Sequence, residues 1–286
     1  MKKILITGEN GQLGSEMKNL SDQYKNYEWI FANRSTLDFL QPDTIADFLN
    51  SINPDIIVNT VAYTAVDKAE HEKDEAMLVN CVSVKEIAKW AKRNDCRFIH
   101  ISTDYVFDGT HEIPLKETDE THPINVYGET KYLGEQAIIE AGCSSVIIRT
   151  SWVYSVYGQN FVKTMLRLMA EKQAIQVVDD QIGGPTYAKD LAEVIMAVIQ
   201  HRNWKPGIYH FSNKGNISWY EFATVIKVMS GFKCRIDPVP SSSYPTIAKR
   251  PHFSLLNSSK ISETFGVEIK DWKYSLQKML ANINKK

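Results

Sequence analysis

Tyr127 and Lys131 are four residues apart, and Thr103 precedes them in the run Ser-Thr-Asp at 102–104. On a helix, positions i and i+4 share one face. That face would carry a phenol that can deliver a proton and an ammonium that can lower the pKa of the phenol. The Thr103 hydroxyl could complete the grip on a carbonyl oxygen. We therefore predict Thr103, Tyr127 and Lys131 as catalytic residues for the reduction of a carbonyl group.

A glycine-rich turn, Gly8-Glu-Asn-Gly11-Gln-Leu-Gly14, follows the first apolar run of the chain. Gly8 permits a sharp turn, Gly11 permits the close approach of a pyrophosphate, and Gly14 permits close packing of a helix on a strand. Glycines after a strand also form ordinary tight turns. Their spacing directly after a strand favours a dinucleotide site, which would hold the hydride donor.

The segment after the second apolar run bears on the choice of cofactor. An acidic residue directly at the end of that strand would bind ribose hydroxyls and favour NAD, but Arg34 stands there. A guanidinium suits a 2′-phosphate, so NADPH is predicted, with NADH as the alternative. The other interpretation is that Arg34 is a solvated surface residue. Asp38 is expected near the adenine edge rather than on the ribose.

The first half of the chain alternates short apolar runs with amphipathic segments. Strands are predicted at 3–7, 28–32, 55–59, 97–102 and 145–149, and helices at 12–20, 42–50, 72–93 and 125–141. Strand–helix alternation with continuous apolar strands predicts an α/β fold with a Rossmann-like, doubly wound parallel sheet. Ligands on such sheets bind beyond the carboxyl ends of the strands.

The organisation changes near residue 152. Helices are predicted at 161–172, 190–201 and 218–230, with a strong turn signal at 180–185. We expect an NAD(P)-binding domain at 1–151, with a return of the chain to it around 175–200. Residues 152–286 would mainly form a smaller α/β substrate-binding lobe.

The glycine turn, the Ser-Thr-Asp run and the Tyr127/Lys131 pair together resemble the extended short-chain dehydrogenase/reductases. Finer runs resemble the dTDP-4-dehydrorhamnose reductase family, and they lie at 59–70, 102–109, 125–131, 149–154, 160–165, 180–186 and 250–251. The resemblance covers nearly the whole chain. It implies hydride transfer from a nicotinamide to C4 of dTDP-4-dehydro-L-rhamnose, for rhamnose-containing cell-surface polysaccharide.

The resemblance also implies roles for individual residues. Tyr127 would protonate the oxygen, Lys131 would orient the cofactor ribose, and Thr103 would polarise the carbonyl. Asp104 and Trp152 would face the sugar nucleotide; an aromatic residue just past a strand end can pack on a deoxysugar, although a core tryptophan is the alternative. The residues implied to line the cofactor, besides Gly8, Gly11 and Arg34, are Asn10, Gln12, Leu13, Asp38, Phe39, Ala62 and Tyr63.

Some members of this family use a Mg²⁺ ion that bridges glutamates at a dimer interface. Glu16 fits one such position, but Lys189 and Asp190 stand about where another glutamate is expected, and the chain ends in Asn-Lys-Lys. Lysine offers no ligand oxygen to a hard cation. No metal site is therefore predicted, Mg²⁺ is doubtful, and a homodimer stays open.

Composition excludes several other classes of protein. The net charge of −1 gives no basic field for nucleic acid, and no stretch approaches the 18 apolar residues that a membrane span needs. The four cysteines are scattered without metal-ligand spacing, which favours reduced thiols in the cytoplasm. Two alternative functions stay open. One is another nucleotide-sugar epimerase or reductase of the same superfamily, and the other is a non-catalytic regulatory subunit of the methionine adenosyltransferase type.

Overall fold

A six-stranded parallel sheet forms the centre of the protein in the computed structural model, which describes residues 1–283. The strand order is β10-β5-β4-β3-β1-β2. The main sheet thus contains β1–β5 and β10, and the remaining strands form smaller sheets. The strands of the described residues are β1 Lys2–Thr7, β2 Tyr27–Ala32, β3 Ile56–Asn59, β4 Arg97–Thr103, β5 Ser145–Thr150, β6 Val153–Tyr154, β7 Ala174–Val178, β8 Ile182–Gly183, β9 Thr186–Tyr187, β10 Gly207–Phe211, β11 Ile217–Ser218 and β12 Arg235–Val239. Within 1–283, no helix is long and apolar enough to cross a membrane.

Helices cover both faces of this sheet. The helices of the described residues are α1 Gln12–Ser21, α2 Ile45–Ile52, α3 Val66–Ala69, α4 Lys73–Met77, α5 Ser83–Arg93, α6 Val126–Ala141, α7 Phe161–Glu171, α8 Ala188–Gln200, α9 Trp219–Ser230, α10 Ser259–Phe265 and α11 Trp272–Ile283. Successive residues of β1 point to opposite faces, yet Ile4, Leu5 and Ile6 are all fully buried, in two separate cores. This two-sided burial explains why the strands are continuously apolar, and it confirms the predicted doubly wound fold.

The five predicted strands of the first half are all present, with ends shifted by one residue. The predicted helix at 72–93 is interrupted by a π-helical turn at Leu78–Val82. In that turn the amide side chain of Asn80 accepts a hydrogen bond from the backbone N–H of Tyr63 and donates one to Thr130. The irregular turn therefore connects the loop after β3 to helix α6.

The chain returns to the main sheet after leaving it. Helix α8 packs on α1 and on the sheet core, and β10 extends the sheet beside β5. The sequence patterns did not predict β10. A separate core lies outside the main sheet. It is surrounded by three two-stranded sheets and three helices, namely β7–β12, β8–β11, β6–β9, α7, α9 and α11.

Candidate active site

The predicted catalytic and substrate residues line one cavity of about 540 Å³ beyond the carboxyl ends of β1, β3, β4 and β5. Thr103 ends β4, and helix α6 carries both Tyr127 and Lys131. Asn125 caps the start of this helix, because its side chain accepts a hydrogen bond from the N–H of Gly128 at 2.8 Å. The cavity is lined by Thr103, Asp104, Tyr127, Lys131 and Trp152, together with Gly11, Gln12 and Leu13.

A second cleft, of about 370 Å³, adjoins the first and shares Gly11, Thr60 and Ala62 with it. It contains the remaining residues that the sequence assigned to the cofactor, namely Gly8, Asn10, Arg34, Asp38, Phe39 and Tyr63. Arg34 lies at its rim with 76% of its side chain exposed, and its Nε is 3.7 Å from a carboxylate oxygen of Asp38. An exposed guanidinium beside such a cleft is free to reorient toward a phosphate.

The glycine turn between these cavities is built without room for side chains. Gly8 has a φ of +77°, and a Cβ there would lie 2.8 Å from the Thr60 hydroxyl. A Cβ on Gly14 would lie 2.1 Å from the carbonyl oxygen of Gly8, so α1 packs directly on the turn. Gly11 caps α1 without a side-chain hydrogen bond, which leaves the first-turn amides to an anion. These features and the paired clefts fit a dinucleotide.

The side chain of Thr103 lies close enough to the Tyr127 hydroxyl to lower the pKa of that phenol. The Thr103 hydroxyl accepts from the N–H of Tyr105 at 3.2 Å and donates to Asp104 Oδ1 at 3.1 Å. Burial raises the pKa of Tyr127 to about 12, and the nearby charge of Asp104 also raises it. The lowering of this pKa by Lys131 and the positive charge of the nicotinamide together stays a prediction. The phenol is neutral at physiological pH and holds its proton.

The amine of Lys131 contacts two residues of strand β4. Its Nζ donates to the carbonyl oxygen of Ile101 at 2.7 Å and lies 3.1 Å from Nε2 of His100. Burial lowers the pKa of Lys131 to about 8, and the charge of Glu135 opposes that shift. Lys131 is thus held by strand β4.

Asp104 is a buried carboxylate, 3% exposed, at the wall of the cavity. Burial raises its pKa to about 6. Within residues 1–283, its Oδ2 atom is a buried oxygen without a hydrogen-bond partner. Buried acceptors are normally satisfied, so this oxygen is suited to a donor from a ligand, such as a sugar hydroxyl.

Trp152 and Trp219 both line the cavity. Trp219 was missed by sequence reasoning because it opens α9, nearly 70 positions later in the chain and outside every run that carries the family resemblance. The local sequence signal for its position was the neighbouring Ser218. Ser218 forms a capping box with Glu221 and so marks Trp219 as the first residue of the helix.

Glu16, the candidate metal ligand, is buried and accepts a hydrogen bond from the Ser155 hydroxyl at 2.6 Å. A separate cavity beside it is lined by Tyr187 and Lys189 among others. No group of three or more histidine, cysteine or acidic side chains suited to a metal occurs in the part of the chain that the structure describes. The tail at 284–286, named in the metal argument, lies outside the described residues.

A parallel sheet with a glycine turn after β1, and a Thr-Tyr-Lys set beside a dinucleotide cleft, define a reductase of the extended short-chain dehydrogenase/reductase class. Comparison with known proteins narrows the class. The family described as "RmlD substrate binding domain" matches residues 1–285. The chain therefore belongs to the RmlD family.

Individual relatives agree with this placement. The chain is 40% identical to the dTDP-4-dehydrorhamnose reductase of Aggregatibacter actinomycetemcomitans, covering 98% of this chain and 99% of that one. It is 41% identical to the enzyme of the same name from Escherichia coli K12, over 97% and 96%. The crystal structure of dTDP-4-dehydrorhamnose reductase from Bacillus anthracis in complex with NADP superposes with a TM-score of 0.94. That structure has 36% sequence identity and covers 99% of this chain and 100% of that one.

Proposed function

We propose that this protein reduces the C4 keto group of dTDP-4-dehydro-L-rhamnose to give dTDP-L-rhamnose, with NADPH or NADH as the reductant. The observation that carries the proposal is the grouping of Thr103, Tyr127 and Lys131 in one cavity that adjoins a dinucleotide cleft. Full-length relatives of about 40% identity bear the name of this enzyme. The product would serve rhamnose-containing cell-surface polysaccharide.

Tyr127 would donate its proton to the substrate oxygen, since burial keeps the phenol protonated. The Thr103 hydroxyl would turn its proton from Asp104 Oδ1 to the same oxygen and so align the carbonyl with Tyr127. Lys131 would hold the ribose hydroxyls of the cofactor, and Asp104 Oδ2 would accept from a sugar hydroxyl. Trp152 and Trp219 would pack on the apolar face of the deoxysugar. The bound nicotinamide supplies the hydride.

The cofactor would lie across the two clefts, with its pyrophosphate at the N-terminus of α1. Gly8, Asn10 and Gly11 would surround that pyrophosphate. Arg34 would bind a 2′-phosphate on the adenosine ribose, which favours NADPH. The related Bacillus anthracis reductase was crystallised as a complex with NADP, which supports this choice.

We also propose a division between a nucleotide-binding domain at 1–151, rejoined by α8 and β10, and a lobe that mainly binds the sugar. The cytoplasm is the proposed compartment because the cysteines at 81, 96, 143 and 234 are all free thiols.

A turnover assay with enzymatically made dTDP-4-dehydrorhamnose and each reduced cofactor tests the function. We expect one reduced nicotinamide to be consumed for each dTDP-L-rhamnose formed. An epimerase would retain its cofactor, and a regulatory subunit would bind it without turnover. A dehydratase is disfavoured because Tyr105, not an acid, follows Asp104.

A further inference from the structure

A line of buried polar side chains runs under the active site, from β1 through β3 and β4 to α6. The Thr7 hydroxyl and the backbone N–H of Val61 both donate to Oδ1 of Asn59, at 2.7 and 3.1 Å. Nδ2 of Asn59 lies 3.1 Å from Nδ1 of His100, and Nε2 of His100 lies 3.1 Å from Nζ of Lys131. Apart from Val61, whose backbone takes part, these residues are essentially inaccessible to solvent.

The direction of these hydrogen bonds is fixed at one end. A backbone N–H can only donate, so Val61 requires that the oxygen of the Asn59 amide faces it. The NH₂ group of Asn59 then faces His100, and Nδ1 of His100 must accept. Burial holds the pKa of His100 well below its usual value, so the ring is neutral and its single proton resides on Nε2. That N–H faces Lys131.

We propose that His100 is a positioning residue whose Nε2–H donates to Nζ of Lys131 and thereby favours the uncharged form of that lysine. A neutral amine has a lone pair that can accept this hydrogen bond, whereas an ammonium offers only donors. The Nζ group keeps its own bond to the carbonyl oxygen of Ile101 in either form. His100 would therefore set the pH at which Lys131 becomes charged.

The charges around Lys131 agree with a lysine that titrates near neutral pH. Burial lowers its pKa to about 8, while Glu135, one turn further along α6, raises it. Glu135 is itself paired with Arg149 of β5 at 2.7 Å. Other titratable groups near this end of α6 are Asp104 and Tyr105 in the turn after β4, and helices α3, α4 and α5 also pack on α6.

The proton position on His100 can be measured directly by ¹⁵N-detected long-range NMR of histidine-labelled protein without substrate. His210, the other buried histidine, provides an internal reference of opposite type. Its Nδ1 lies 3.0 Å from the carbonyl oxygen of Leu115, which can only accept, so His210 must carry its proton on Nδ1. We expect two neutral rings with different tautomers. A proton on Nδ1 of His100, or a charged ring at pH 7, would overturn the proposal.

Asn59→Asp reverses the direction of the hydrogen bond between residue 59 and Nδ1 of His100, and the side chain keeps nearly the same shape. A carboxylate at this position accepts from Nδ1–H of His100, so Nε2 becomes an acceptor for the Lys131 ammonium, and the pKa of Lys131 rises. Thr7→Val is the matched control, because it removes one donor to Asn59 but leaves the N–H of Val61 to orient the amide. We expect the tautomer of His100 to switch in Asn59→Asp and to persist in Thr7→Val.

A kinetic test of the link between His100 and Lys131 rests on the proposed function, in which Lys131 acts as an ammonium at the cofactor ribose. The kcat/KM for NADPH should then fall as pH rises through the pKa of Lys131, and Asn59→Asp should move that fall upward by about one pH unit or more. Thr7→Val should leave its position unchanged. A switched tautomer with an unmoved pH profile would refute the link to Lys131. If the protein lacks turnover altogether, the proposed function fails while the NMR result still decides the tautomer.

Discussion

The indole rings of Trp152 and Trp219 stack with centroids 3.5 Å apart and planes 12° from parallel. They come from different elements, since Trp152 follows β5 and Trp219 opens α9. Trp152 adopts a φ of +47°, a left-handed conformation that is costly for a bulky residue. The surrounding structure must maintain it, and a Cβ on Gly183 would lie only 2.8 Å from the Trp152 ring. This arrangement presents one aromatic wall to the cavity from both parts of the chain.

Trp152→Ala is expected to raise the KM for the dTDP-sugar and to leave the Kd for NADPH nearly unchanged. Loss of one large apolar contact with a ligand corresponds to ~1–3 kcal/mol. Trp219→Ala should act in the same direction, because each ring supports the other. Steady-state kinetics and NADPH fluorescence titration measure the two effects. A collapse of thermal stability with a normal KM in the remaining enzyme would identify Trp152 as a core residue instead.

Arg34→Ala is expected to raise the KM for NADPH and to leave the KM for NADH nearly unchanged. The reason is that the guanidinium would contact only the 2′-phosphate, which NADH lacks. Arg167, exposed on α7 and paired with Glu171 at 3.0 Å, is a matched surface arginine away from the cofactor cleft. Arg167→Ala should affect neither cofactor. Equal effects of Arg34→Ala on both cofactors would show that Arg34 does not distinguish them.

The sequence predicted the main sheet well because its strands are short apolar runs between clear helical segments. It did not predict β10, whose run Gly-Ile-Tyr-His-Phe pairs only with the distant β5. Every residue assigned to the cofactor lines one of two adjoining clefts, since the glycine turn and the strand ends are local signals. Trp219 and His100 were missed because their importance depends on contacts made only in the folded chain. The rise in the pKa of Tyr127 that burial causes could not be predicted, because sequence spacing does not reveal burial.

Asp104→Asn is expected to stabilise the protein at neutral pH. The pKa of Asp104 is raised by burial to about 6, so the folded state binds the proton more tightly than the unfolded chain does. Stability is then lost as pH rises from about 4 to 6, by on the order of 2–3 kcal/mol. The amide cannot ionise, so the Tm advantage of the variant should grow between pH 4 and pH 7.

Asp108 provides the control for this effect with the opposite sign. Hydrogen bonds from the backbone and side chain of Thr110 lower the pKa of Asp108, so its contribution is present at neutral pH and lost in acid. Asp108→Asn should therefore lower the Tm at pH 7, and the difference should shrink toward pH 3. Thermal unfolding across this range checks both variants. An Asp104→Asn advantage that does not vary with pH would exclude the carboxyl charge as its cause.

Chelation is expected to leave activity intact. Glu16 already accepts a hydrogen bond from Ser155, and Lys189 beside the same cavity offers no oxygen to a hard cation. Turnover should be equal before and after dialysis against EDTA, with the dialysed metal content checked by mass spectrometry. Activity that disappears with EDTA and returns with Mg²⁺ would contradict the prediction.

Tyr127→Phe is expected to lower kcat by roughly 10²–10⁴-fold, because hydride arrival at the keto carbon creates an alkoxide that a positioned acid must protonate. The ring is kept, so the fold and the Kd for NADPH should survive. Tyr132→Phe, on the same helix but packed against another core cluster, is the matched control and should retain near-normal kcat. Rapid-mixing kinetics and NADPH titration separate the two quantities. Activity within about threefold of wild type would mean that another group supplies the proton, and loss of NADPH binding would mean that the hydroxyl is structural.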